Sequence, residues 1–448
     1  MQILNDPRAD GEERLAALAE YIAVHPELTT AITGSGEINN HIHTIYSFSP
    51  YTPVMAALKA RQAGLEAAGS VDHDSLAAAG ELTAACARLG MGGCCGFEIR
   101  ASFKKDADGN EGPFASRKIN NPDSTGLLYM TVQGVPSTAY QKTADFLRPI
   151  QKARLQRTQR MTNNANILLR DEGLRAINFD PDIKDQSQAE KGGEITERHL
   201  MAAVAKILVE KFGKGSGLCR GLAKHFDIHA APKTEALLGD ASNPHYLYDL
   251  LGVLKTGFLS RIFIQPDENE CIRARDAVDF ALSIGAIPAY AYLGDVGESP
   301  TGDKKAEKFE DDYLGELMEE IKRTGFKAVT YMPPRNTPEQ LQNIQRYCAD
   351  FGFMEISGVD INSSRQGFNC PEVLSASCRH LVDTTWALIA HEQLAAIDKR
   401  WGLFDTDNTT MPLSKRLAKY AELGKALDLR HPGASAFDLV RKILEFKS

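Results

Sequence analysis

Short apolar runs alternate with longer amphipathic ones through the first third of the chain. Residues 36 to 43 have the length and composition of a strand. Thr52 and Pro53 then supply an N-cap and a first-turn proline for a helix through "VMAALKARQA" to Gly64. A second strand, "AAGSVD", covers 67 to 72. Ser75 is placed to cap the helix "LAAAGELTAACARL", which stops at Gly90, and a third strand reads "GGCCGFEI" up to Ile99. The pattern predicts a βαβαβ series with parallel strands.

The alternation returns later. "RIFIQP" (261 to 266) reads as a strand ahead of a helix from about 271 to 284. "AIPAYAYLGD" reads as a strand and loop, "EKFEDDYLGELMEEIKRT" as a helix, and "KAVTYMPP" as the next strand. Thr337, Pro338 and Gln340 form an N-cap, first-turn proline and capping-box partner for "EQLQNIQRYCADF", and "FMEISGVDI" is a strand ending at Asp360. Between the halves the chain is helical and charged, with "TERHLMAAVAKILVEKF" its clearest amphipathic helix. The division expected is a parallel sheet or barrel in two parts, 36–139 and 246–390, interrupted by a helical insertion at 140–245 and followed by a helical extension at 391–448. Those last helices pack outside the barrel or against a second subunit, so a homo-oligomer stays open.

Composition narrows this little. The 448 residues are 43% hydrophobic and 25% charged, enough for a barrel-sized core plus additions. No run of 18 apolar residues occurs and the N-terminus lacks an apolar signal core, so a cytoplasmic protein without a membrane segment is expected. The eight cysteines show no CxxC spacing and read as small buried side chains. A net charge of −8 disfavours nucleic acid as partner and favours a small ligand in a local basic pocket. The basic segment "LRPIQKARLQRTQR", with Arg148, Lys152, Arg154, Arg157 and Arg160, reads as a solvated helix face.

The chemistry gathers at strand ends. His41 and His43 are two apart on one strand, so their imidazoles project together and can share a metal ion. Asp72, His73 and Asp74 close the second strand and Glu98 lies at the end of the third. Parallel strands bring their C-terminal ends to one rim, where α/β enzymes assemble their sites, and three ligand candidates converge there.

"HIHTIYSFS", "SVDHDS", "GFEIR" and "ISGVDIN", in this order, resemble the motifs of the PHP (polymerase and histidinol phosphatase) superfamily of metal-dependent phosphoesterases. The resemblance covers about 36 to 100 and 255 to 365. It implies a distorted (β/α)7 barrel whose rim binds up to three divalent metals and hydrolyses a phosphate ester. By it, His41 and His43 match the paired histidines, His73 the histidine of the second motif, Glu98 a bridging carboxylate, and Asp360 the aspartate of a final Asp-x-His. The pattern is incomplete: Phe48 and Ser49 stand where an acid or histidine is usual, Asn362 replaces the last histidine, and Gln133 and Tyr292 align with two middle histidines.

His41, His43, Glu98 and Asp360 then make one complete site for Zn, Mn or Fe, with His73 belonging to a depleted neighbour. His73 and Asp74 are the candidate catalytic groups that move a proton. Arg100, Arg365 and Asn362 are the candidate substrate contacts, the arginines because guanidinium pairs bidentately with phosphate oxygens. Asp72 is expected to orient His73. The reading is a hydrolase of a phosphorylated small molecule. The alternatives are a barrel that has lost catalysis and binds a ligand or partner, and, with only the basic segment behind it, a nuclease.

Overall fold

Eight strands form one sheet in the computed structural model, which describes residues 2–30, 36–106, 109–296, 308–405 and 410–445. They are β1 (Ile38–Ile42), β2 (Ala67–His73), β3 (Gly92–Ser102), β4 (Leu127–Gln133), β5 (Ile272–Arg273), β6 (Ile287–Ala291), β7 (Ala328–Tyr331) and β8 (Met354–Ser357). The path runs β1-β2-β3-β4-β6-β7-β8, with the two-residue β5 pairing beside the end of β3. A parallel bridge from Ile42 to Ile361 joins the last segment to the first, with His43 N–H donating to Ile361 O and Ile361 N–H to His41 O, each at 3.0 Å. The sheet is thereby a nearly closed, distorted barrel with helical additions.

Six of the seven barrel strands are mutually parallel, but β4 runs antiparallel to both β3 and β6. This departs from the expected all-parallel series. "RIFIQP" is not a strand either: a helical turn ends at Ile262, and residues 263 to 267 have no regular structure. β8 stops at Ser357, three residues before Asp360.

Local chemistry explains the helices that flank the early strands. α1 (Gly11–Val24) opens on a capping box between Asp10 and Glu13. In α2 (Pro53–Gln62) the Thr52 Oγ1 accepts from Met55 N–H at 3.1 Å and Pro53 sits in the first turn. α3 (Ala79–Arg88) begins later than Ser75, whose hydroxyl instead donates to Gly192 O at 2.8 Å.

Alternation along the strands splits the two faces. Phe97 and Ile99 of β3, and Leu128, Met130 and Val132 of β4, join the main apolar core outside the barrel. Glu98 and Arg100 point inward, and their cross-strand partners Thr131 and Tyr129 share that face. α10 (Ala274–Ser283), α11 (Leu314–Thr324) and α12 (Pro338–Phe351) follow β5, β6 and β7, and α12 carries the expected Thr337–Gln340 capping box.

The intervening segment holds α4 (Tyr140–Asp171), α5 (Glu197–Phe212), α6 (Ser216–Phe226), α7 (Pro232–Gly239), α8 (Tyr246–Leu254) and the single turn α9 (Ser260–Ile262). Its apolar residues form a second core, from Met161 to Ile262, on which Phe48 of the barrel packs. After the barrel come α13 (His380–Ile397), α14 (Leu413–Lys425) and α15 (Pro432–Glu445).

α13 is buried along most of its length and packs on β1, β3 and β8. A side chain at Gly92, the first residue of β3, would strike Ile389 and Trp386, and one at Gly134, just past β4, would strike His391 and Leu388. Both glycines lie at the end of the barrel opposite the rim, so α13 closes that end. No helix of the described residues is long and apolar enough to cross a membrane.

Candidate metal centre

The parallel strand ends bring five ligand-type side chains together at the rim. His41, His43 and Asp360 form one group, and His43, His73 and Glu98 a second, with the donor atoms of each group within 4.8 Å of one another. His43 belongs to both. Its Nε2 lies 3.6 Å from Glu98 Oε2 and 3.5 Å from Asp360 Oδ1, while His73 Nδ1 and His41 Nε2 lie 3.2 and 3.8 Å from Glu98 Oε2. Asp360 reaches the histidines because Gly358 lets the chain cross β1 closely: a Cβ there would sit 2.5 Å from His41 N.

Burial sets the protonation of the group. Loss of hydration lowers the pKa of His41, holds His43 down to about 3, and drives His73 well below the ordinary imidazole value. The Glu98 carboxyl is pushed well above its usual range by burial, with the charges of Asp360 and Asp74 adding to it. Neutral imidazoles with free lone pairs, packed beside two carboxyl groups, are the donor set a divalent ion of the Zn, Mn or Fe type satisfies.

A second layer orients these donors. Ser47 Oγ lies 3.3 Å from His43 Nδ1 and donates to Asp72 Oδ1 at 2.6 Å. With Nδ1 carrying the proton toward Ser47, the Nε2 lone pair of His43 faces Glu98 and Asp360. Asp72 therefore serves His43 rather than His73, because successive strand residues face opposite sides. It also accepts from Thr44 N and Oγ1, both at 2.6 Å, and so ties down the loop after β1. Asn362 Nδ2 donates to both oxygens of Asp360 at 2.7 Å. Sequence reasoning placed Asn362 on substrate; here its side chain steadies the Asp360 carboxylate.

The other expected contacts are already engaged. Arg100, 5% exposed, pairs with Glu270 and with Glu197. Asp74 accepts from Arg154 at 2.5 Å, and Arg154 also meets Glu197 at 2.8 Å. Arg157 binds Glu197 and Glu270. Arg154 and Arg157, expected on a solvated face, are 4% and 1% exposed and lock α4 and α5 to the barrel. Arg365 pairs bidentately with Asp249 of α8, at 2.5 and 2.7 Å, which fastens the Asp360 loop to the inserted helices.

Gln133 and Tyr292 do not stand where the motif alignment put them. The reversed direction of β4 sets Gln133 opposite Gly96 and Ile287, below the level of Glu98 and toward the closed end. The residue of β4 at the site is Tyr129, opposite Arg100 and with its ring 6.0 Å from His73. Tyr292 donates its hydroxyl to Asp311 Oδ1 at 2.6 Å. Periodicity carries no strand direction, so the sequence held no sign of the exchange.

Sequence reasoning also passed over Arg198 of α5. Its guanidinium lies 5.6 Å from the ring centres of both Phe48 and Tyr248 and makes no hydrogen bond or ion pair among the described residues.

No family model matches the chain, and no curated protein matches it in sequence. Solved structures similar to it include a candidate metal-dependent phosphoesterase from Bifidobacterium adolescentis, 17% identical, covering 77% of this chain and 97% of that one with a TM-score of 0.47. An amidohydrolase from Chromobacterium violaceum, solved with sulfate and without metal, is 18% identical over 77% of this chain and 95% of its own, also at 0.47.

Proposed function

We propose that this protein is a metal-dependent hydrolase acting on a phosphorylated small molecule, with His41, His43, Glu98 and Asp360 holding one divalent ion and His73 beside it. The observation that carries the reading is the meeting of two donor groups at His43, on a rim built from segments more than three hundred residues apart. A divalent ion held there supplies Lewis-acid polarisation of a phosphoryl oxygen.

The chain's own groups do the rest. Ser47 and Asp72 fix the His43 ring, and Asn362 fixes the Asp360 carboxylate. His73, neutral at physiological pH and one quarter exposed, is the group able to exchange a proton with the attacking or leaving oxygen. Asp74 is held by Arg154, which gives Asp74 a positioning role and favours His73 for proton transfer. The inserted helices wall the rim: Gln151 donates to Asp74 O, Glu194 N to Tyr46 O, and His245 pairs with Ser364 in the Asp360 loop. A walled rim of this kind admits small molecules better than long polymers.

The test pairs metal content with turnover. Protein purified without chelator is expected to carry close to one equivalent of metal by mass spectrometry and to hydrolyse at least one member of a panel of phosphorylated small molecules. His43→Ala should lose most of that metal and all turnover. Ser49→Ala should change neither, because the Ser49 hydroxyl is buried without a partner. A folded His43→Ala protein with unchanged metal would overturn the site. Metal without turnover would favour a binding role.

A further inference from the structure

We propose that Arg198, framed by Phe48 and Tyr248, is the residue that binds the oxyanion of the substrate beside the metal centre. The inference rests on the proposed hydrolase reading and names the anion contact that reading leaves open.

Three observations converge on Arg198. The first is electrostatic. Arg100, Arg154 and Arg157 share Asp74, Glu197 and Glu270, three cations against three carboxylates, so none of that charge is free for a ligand. Arg198 follows Glu197 directly in α5, yet makes no such pair among the described residues. Among the described residues its guanidinium is a cation near the site that is engaged in no ion pair, with the Asp360 carboxylate acting on it only through its charge.

The second is its placement. Thr196 caps α5, so Arg198 lies in the first helical turn, where backbone N–H groups also favour negative charge. The segment ahead of it is pinned to the rim by Glu194 N on Tyr46 O and by Gly192 O, which receives Ser75 and Gln151. Arg198 is near enough to feel the Asp360 carboxylate and to act on His43, while burial lowers its own pKa. A bound anion relieves that burial cost.

The third is the frame. Phe48 is a non-glycine residue held in the left-handed region at φ 69°, and its ring contacts His199 at 4.8 Å and Tyr248 at 6.2 Å. Strain of this sort persists where surrounding contacts impose it. Here the contacts hold one aromatic ring from the barrel and one from the insert against the guanidinium. Stacking leaves the edge N–H groups of a guanidinium free for a tetrahedral oxyanion. The barrel position occupied by Phe48 thus contributes to organic anion recognition instead of offering a metal ligand.

Binding of inorganic phosphate, followed by titration calorimetry, tests the assignment on wild type, Arg198→Gln and Arg198→Lys, each both chelator-treated and loaded with manganese. Arg198→Gln is expected to weaken phosphate at least tenfold in both states, with metal content and melting temperature unchanged, and Arg198→Lys to recover part of the loss. Phosphate bound by Arg198→Gln within twofold of wild type would overturn the proposal, as would wild type that takes up no phosphate in either state. Failure of the metal reading has a different signature: wild type without metal uptake, with the chelator-treated titration still reading the arginine.

Discussion

At the scale of single residues, the site depends on hydrogen bonds behind the donors as much as on the donors. Ser47→Ala removes the partner of His43 Nδ1 but leaves Asp72 its two bonds from Thr44. The fold should therefore survive while metal affinity falls about 10–100-fold, measurable by competition with a chromogenic chelator. An unchanged affinity would show that the Ser47 contact does not set the His43 ring. The side chains that meet at the rim were legible in the sequence: paired histidines two apart, His73 and Glu98 all close strands that alternate visibly with helices. Ser47 and Asp72 lay in the same motifs, but their pairing was not legible, because it depends on which way each strand residue faces at its end. Arg198 carried no local mark, since its solitude is defined by what Glu197 pairs with elsewhere.

At the scale of elements, a cluster of buried ion pairs helps attach the insert to the barrel. Glu270, 2% exposed, receives Arg100 from β3 and Arg157 from α4, so Glu270→Gln removes one of the two carboxylates these buried guanidinium groups share and leaves both on Glu197. Removing one partner of a buried pair costs about 3–5 kcal/mol, and the melting temperature should drop by several degrees. A drop of under one degree would mean that water reaches the cluster and screens it. Here the sequence misled for a physical reason. Arg148, Lys152 and Arg160 of α4 do face solvent, and Arg154 and Arg157, on the other side of the same helix, are buried by carboxylates from α5 and from the loop before β5. A charge run does not reveal partners that arrive from forty or a hundred residues away. Capping was readable at Thr52 and Thr337, which act as expected, but not at Ser75, whose hydroxyl is drawn to Gly192 O from the insert.

At the scale of the whole molecule, both ends of the barrel are finished by later parts of the chain. α13 closes one end, and there Glu392 Oε2 accepts from Cys95 N at 2.8 Å while burial pushes its carboxyl up to about 8. The folded protein thus holds a proton there that the unfolded chain releases above the ordinary carboxylate value. Stability from this group is complete below about pH 4.5 and is lost as pH rises toward 8. Glu392→Gln keeps the acceptor without the titration, so its stability relative to wild type should grow by a few kcal/mol between pH 5 and 8 in urea melts. A constant difference across that range would show that Glu392 is ionised in the folded state. The antiparallel β4 is the largest departure from the pattern read in the sequence, and it moved Tyr129 into the place assigned to Gln133. The other end of the story is the seam at Ile42 and Ile361, flanked by His41, His43 and Asp360. A chain emerging from the ribosome makes β1 first and waits some three hundred residues for the segment that pairs with its outer edge. Until then that edge is open to other chains, a standing invitation to mispairing. An ion shared by His43 and Asp360 would fasten the two sides of the seam after they meet, so metal supply during growth should decide how much of the newly made protein stays out of aggregates.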